Sequence, residues 1–97
     1  MENTMPKKTF QLTARVSTEN PKAIKPVLHE VLPKGSIAKT EEGFLIRTKI
    51  AGESARELNK TLLSALRRVE KKTRLRSEWA SGQSVERFFD YVPKGNG

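Results

Sequence analysis

The chain has 97 residues, 35% of them hydrophobic, no cysteine, and 19 Lys and Arg against 11 Asp and Glu, for a net charge of +8. This length suits one domain around one modest core, with a flexible lead-in over residues 1–8, a core over 9–79 and a C-terminal extension over 80–97. The composition excludes disulfides, thiolate metal sites and cysteine nucleophiles; the apolar runs are too short for a membrane-spanning helix, and MENTMPKK lacks the apolar stretch of a secretory leader, so the expected location is cytoplasmic.

From Thr9 the residues alternate. Phe10, Leu12, Ala14 and Val16 take one side, and Gln11, Thr13, Arg15 and Ser17 the other, the period of two that marks a half-buried strand. Asn20 then offers a helix cap, and Pro21 suits a first helical position, where its missing N–H costs nothing. Ile24, Val27, Leu28, Val31 and Leu32 follow at helical spacing, with Pro26 placed to shorten or kink the helix and Pro33-Lys34-Gly35 to end it. Residues 36–40 and 44–50 flank Glu41-Glu42-Gly43, which reads as a hairpin loop with Gly43 at a position of positive φ. Ile37 is the clearest inward residue of the first strand. In the second, Phe44, Ile46 and Ile50 share a face, with Arg47 and Lys49 opposite.

Ser54-Ala55-Arg56-Glu57 is a capping box, and Ala55, Leu58, Leu62, Ala65, Leu66 and Val69 recur behind it at steps of three and four. No breaker intervenes before Gly82, so this helix is expected over residues 55–76 and as far as Trp79. Past Ser81-Gly82, Val85, Phe88, Phe89 and Val92 stand at i, i+3, i+4 and i+7, which predicts a short helix ended by Pro93, then a loose Lys94-Gly95-Asn96-Gly97 tail. The expected fold is α+β: a three-stranded antiparallel sheet with two helices on one face, in the order strand–helix–strand–strand–helix, plus the short C-terminal helix.

Catalysis finds little support. His29 is the sole histidine and sits between apolar helical positions, without a motif to partner it. No cluster has metal-ligand spacing and no glycine-rich phosphate loop occurs, so neither a metal nor a cofactor is expected. A small-molecule enzyme is the weakest of three functional classes.

The basic run is more informative. Residues 67–76 hold Arg67, Arg68, Lys71, Lys72, Arg74 and Arg76 against Glu70, six minus one or +5, more than half of the net charge. On a continued helix, Arg67, Lys71 and Arg74 form one stripe and Arg68, Lys72 and Arg76 another. That exceeds what matching a helix dipole requires, and it makes Arg68, Lys71, Lys72, Arg74 and Arg76 candidate phosphate ligands. Trp79, Phe88, Phe89 and Tyr91 follow; at helical spacing they read as core, with Phe88 and Phe89 packing on the sheet or on another subunit, although aromatics beside cations also stack on bases.

The segment Phe44-Leu45-Ile46-Arg47-Thr48-Lys49-Ile50-Ala51, the Glu53-Ser54 helix start and Leu58-x-x-Thr61-Leu62-x-Ser64-x-Leu66-Arg67-x-Val69 together resemble the small, dimerising, non-catalytic subunit of the KEOPS complex. That complex installs threonylcarbamoyladenosine beside the anticodon of tRNAs. The resemblance covers about two thirds of the chain. It departs at Leu63, Ala65 and Arg68, where the family usually has Asn, an aromatic and Trp, so it points to a divergent member or paralogue. It implies a homodimeric scaffold, not an enzyme, whose long helices pack on the threonylcarbamoyl transferase subunit, bridge two such subunits and assist tRNA binding. Leu58, Leu62, Leu66 and Val69 would then be core or bundle contacts, and Thr61, Ser64 and Arg67 the carried-over interface positions. The alternative is a stand-alone small basic protein that binds nucleic acid.

Overall fold

The computed structural model describes residues 8–32 and 36–93. The lead-in before Lys8, the Pro33-Lys34-Gly35 stop and the C-terminal tail lie outside the described residues. Strand β1 (Lys8–Ser17) opens the fold, followed by α1 (Pro21–Val31), β2 (Ser36–Lys39), β3 (Gly43–Gly52) and α2 (Ala55–Val69). Then come β4 (Arg74–Ser81), β5 (Ser84–Phe89) and the two-residue β6 (Val92–Pro93). The class is α+β, as expected, but five full strands and β6 make one antiparallel sheet in the order β2-β3-β1-β4-β5-β6. The expected three-stranded sheet and C-terminal helix are therefore both corrected.

The early elements follow their periodicity. Phe10, Leu12, Ala14 and Val16 are all buried, as are Phe44 and Ile46 across the β1–β3 pairing. α1 runs on past Pro26 to Val31, with Pro21 at its start, but the Asn20 side chain makes no capping bond. Ile24, Leu28 and Leu32 seal that side of the core, while Val31 is exposed. Gly43 is needed for a different reason from the one expected. Its φ is not positive; it lies in β3 opposite Ser17, where an added Cβ would fall 2.0 Å from the Val16 carbonyl oxygen.

α2 begins as the capping box predicts, the Ser54 hydroxyl accepting from the Glu57 N–H at 3.1 Å. Its buried face is Ala55, Asn59, Leu62, Leu63 and Leu66; Val69, expected on it, is 48% exposed. The helix ends at Val69 because its apolar stripe ends there: the next positions in line, Thr73, Arg76 and Ser77, offer nothing apolar to bury. Glu70 leaves helical geometry, and from Thr73 the burial alternates, with Thr73, Leu75, Ser77 and Trp79 inside and Arg74 and Arg76 outside. Extended, this segment buries Leu75 and Trp79 beside β1, where Trp79 meets Phe10 edge-on at 6.2 Å.

The C-terminal segment is read the same way. Gly82 at φ 61 and Asp90 at φ 60 each open a two-residue hairpin turn, the geometry that suits the twist of paired strands. Phe88 enters the core at 5% exposure and Phe89 turns to the opposite face. Spacing of three and four among Val85, Phe88, Phe89 and Val92 was thus coincidental with a period of two.

Asn59 ties α2 to the added strands. Its Oδ1 accepts from the Ser77 hydroxyl and from Trp79 Nε1 (3.3 Å), while its Nδ2 donates to the Asp90 carbonyl at 2.8 Å. All of this is buried or partly buried, where a lost partner is costly. Asn59→Ala is expected to cost about 3 kcal/mol and Ser77→Ala about 1 kcal/mol. In urea unfolding the double variant should lose less than the sum, because the two side chains share a bond.

Candidate nucleic-acid interface

Both helices cover one face of the sheet, so the other is assembled from the outward residues of its strands. Residues opposite one another on paired strands share a face. Arg15 of β1 thus stands between Leu45 of β3 and Arg76 of β4, and Arg76 stands opposite Phe89 of β5. One step along the strands, Thr13 lies between Arg47 and Glu78, and Glu78 faces Arg87. Gln11 faces Lys49, and Ser17 faces Arg74. Arg15, Arg47, Lys49, Arg74, Arg76 and Arg87 are all exposed, and among the described strand residues on this face Glu78 is the one carboxylate.

The charges are poorly compensated. Arg87 pairs with Glu78 at 2.9 Å, but both side chains are well exposed, so the pair holds little energy and is easily exchanged. Arg15 and Arg76 are directly opposite each other, an unfavourable arrangement for like charges. Among the described residues neither makes an ion pair. Arg76 and Arg74 lie against the Phe89 ring, their guanidinium carbons 5.1 and 5.7 Å from its centroid. Between these groups is a hollow of about 310 Å³ lined by Arg15, Ser17, Glu42, Arg74, Arg76 and Phe89. A second hollow of about 300 Å³ shares Arg15 and Arg76 and extends to Arg47 and Arg87. The result is a cationic trough across the strands with an aromatic ring at one end, a form that can hold phosphates and stack a base.

The residues singled out by sequence are scattered by the fold. Arg74 and Arg76 reach the trough. Arg68 is exposed on the outer side of α2, and Lys71 and Lys72 occupy the exposed turn between α2 and β4, so the two helical stripes do not form. Leu62 and Leu66 lie in this chain's own core, with Leu58 packed against it, whereas Thr61 is exposed. Ser64 hydrogen-bonds the Tyr91 hydroxyl at 3.1 Å. Arg67 is engaged in holding the fold: Nε donates to the Thr73 carbonyl at 2.9 Å, Nη2 pairs with Asp90 at 3.4 Å, and the guanidinium lies over Tyr91. Trp79 and Phe88 are core, as expected of them, whereas Phe89, expected to pack with Phe88, lies on the open face beside Arg74 and Arg76.

Arg15, Arg47, Lys49 and Arg87 were missed as site residues. Their signal was present in the alternation of β1 and β3, which sets Arg15, Arg47 and Lys49 opposite the buried side. Only the pairing of strands distant in sequence brings them together. His29 lines a separate hollow of about 290 Å³ with Lys22, Lys25, Lys39, Ile37 and Phe44. Among the described residues its polar lining is His29 and the three lysines, with no carboxylate to orient the imidazole. Among the described residues no group of His, Asp and Glu could hold a metal ion, and no helix is long and apolar enough to cross a membrane. No family model matches the chain, and neither a curated protein nor a solved structure matches it.

Asp90 sets the geometry of the Phe89 end of the trough. Its Oδ1 accepts from the Leu75 N–H at 2.9 Å and its own N–H donates to the Leu75 carbonyl at 2.6 Å, prolonging the β4–β5 pairing past Phe89. Asp90→Ala should lose about 2 kcal/mol, from the left-handed backbone and the lost acceptor. Asp90→Asn, which tolerates that backbone and keeps an oxygen, should lose less than about 1 kcal/mol in thermal unfolding.

Proposed function

We propose that this chain is a non-catalytic nucleic-acid-binding protein that holds a sugar–phosphate backbone on the open face of its sheet. The observation that carries the reading is the Arg15–Arg76 pair, two cations set directly opposite each other, neither of them in an ion pair among the described residues. Such an arrangement costs stability in the free protein, and a phosphate bridging the two guanidiniums reverses the sign of the interaction. Arg47, Lys49, Arg74 and Arg87 extend the same surface, so several successive phosphates can be met at once.

This reading separates binding from folding. Arg15→Thr should leave stability unchanged or raise it by about 0.3 kcal/mol, since it removes a like-charge contact and Thr suits a strand, whereas Arg76→Thr also gives up the contact with Phe89 and should cost up to about 0.5 kcal/mol. Each should weaken a labelled single-stranded RNA severalfold and reduce the slope of log affinity against log salt by about 0.7. Reversing the charges of Lys71 and Lys72, which stand at the turn, should weaken binding less. Affinity that ignores salt, or arginine variants that bind as the parent does, would contradict the proposal.

A second reading is favoured by one observation. Lys8–Val69 follows the order β1-α1-β2-β3-α2 that the KEOPS resemblance implies. On it the chain is a homodimeric scaffold subunit of the threonylcarbamoyladenosine complex, bridging transferase subunits and assisting tRNA binding. With Leu62 and Leu66 committed to this chain's core, the partner surface would be the outer side of α2, around Thr61, Arg68 and Val69. β1 is flanked on both sides, so a second copy would add elsewhere than at that strand. Co-purification with a threonylcarbamoyl transferase, weakened about tenfold by Thr61→Glu or Val69→Glu, is the expected result. A transferase that passes through unretained would remove this reading and leave the first intact.

A further inference from the structure

Glu42 is out of place on a phosphate-binding surface. It belongs to the loop between β2 and β3, yet it lines the same hollow as Arg15, Arg74, Arg76 and Phe89. The loop holds it there from three directions. Its carbonyl accepts from the Thr18 N–H at 2.8 Å, its carboxylate accepts from the Ser17 hydroxyl at 3.3 Å, and the adjoining Gly43 N–H donates to the Thr40 hydroxyl at 3.1 Å. A carboxylate so placed repels phosphate. It also forms no ion pair with the neighbouring arginines among the described residues, so it does not serve to neutralise them.

What a carboxylate does accept is a pair of adjacent donors. Among the common bases, guanine alone presents two side by side, the N1–H and the exocyclic N2–H, on its Watson–Crick edge. Adenine and cytosine offer one amino group beside an acceptor nitrogen, and uracil and thymine one N–H between two carbonyls; each of these turns a lone pair toward the carboxylate. That edge is accessible only when the base is unpaired, which is also the condition for stacking it on an aromatic or guanidinium platform.

Resting on the nucleic-acid reading above, we propose that the hollow between Phe89 and Glu42 is a recognition site for one unpaired guanine of a single strand. The base lies against Phe89, its Watson–Crick edge meets the Glu42 carboxylate, one flanking phosphate bridges Arg15 and Arg76, and the other sits on Arg74. The second hollow, reaching Arg47 and Arg87, takes the neighbouring nucleotide by its backbone; its carboxylate, Glu78, is already paired with Arg87 and so differs from Glu42.

The test uses the full chain and fluorescence anisotropy with labelled oligouridylates carrying one central guanosine, inosine, adenosine or cytidine. Guanosine should bind about tenfold more tightly than inosine, which lacks the 2-amino group, and than the other two. Glu42→Gln should abolish that preference while tightening the all-uridine strand, because a repulsive charge has gone. Phe89→Ala should weaken every single strand about tenfold, with an unchanged unfolding midpoint showing that the fold survives. The deoxy versions distinguish DNA from RNA as the source of the strand. Equal affinity for all four central bases, or a preference untouched by Glu42→Gln, overturns the guanine site and leaves salt-dependent binding standing. Failure of any oligonucleotide to bind at low salt removes the broader reading as well.

Discussion

The structure depends on β1 being an inner strand. It pairs along its whole length with β3 on one side and, over Gln11–Ser17, with β4 on the other. Once both neighbours are in place, the period of two in β1 propagates through the register to three strands at once. Leu12, Ala14 and Val16 bring Ile46, Phe44, Leu75 and Trp79 to the buried side. Arg15 necessarily brings Arg76 to the other. A shift of one residue in either pairing would expose the core, so the burial of the apolar residues fixes the position of the cations.

The turn after α2 is what makes β4 available. Arg67, from the last turn of the helix, bonds the Thr73 carbonyl just before β4 and pairs with Asp90 just after β5. Asn59, two turns earlier, reaches Ser77, Trp79 and Asp90. One helix therefore anchors both ends of the hairpin that carries Phe89. The cations that looked most prominent in the sequence divide accordingly: Arg67 works for the fold, while Arg74 and Arg76 face outward. Charge density along the chain was a poor guide to charge density in space.

The arrangement of charge on the open face is not one that folding requires. Arg74 and Arg76 gain from lying against the Phe89 ring, but like charges opposed across strands are unfavourable in isolation. They become favourable with an anion and a base present, since a charge-assisted bond to phosphate is stronger than the repulsion it relieves. The carboxylate of Glu42 at the margin gives this face a polarity that a uniform electrostatic surface lacks, and a hydrogen-bonding preference requires such a feature.

By itself the sequence determined the local elements up to α2. Alternation over residues 9–17 and 44–50, the Pro21 start, the Ser54 capping box and the three-and-four spacing behind it are all short-range signals, and each yields the element observed. It also contained the outward placement of Arg15, Arg47 and Lys49. Residues 73–92 were misread because helix and strand periods coincide over few positions, and neither Gly nor Pro marks the true end at Val69. There the decision belonged to tertiary structure: an extended segment could bury Leu75 and Trp79 against β1, and a continued helix could not. The trough is likewise tertiary, because its cations come from β1, β3, β4 and β5, and only cross-strand register sets them side by side.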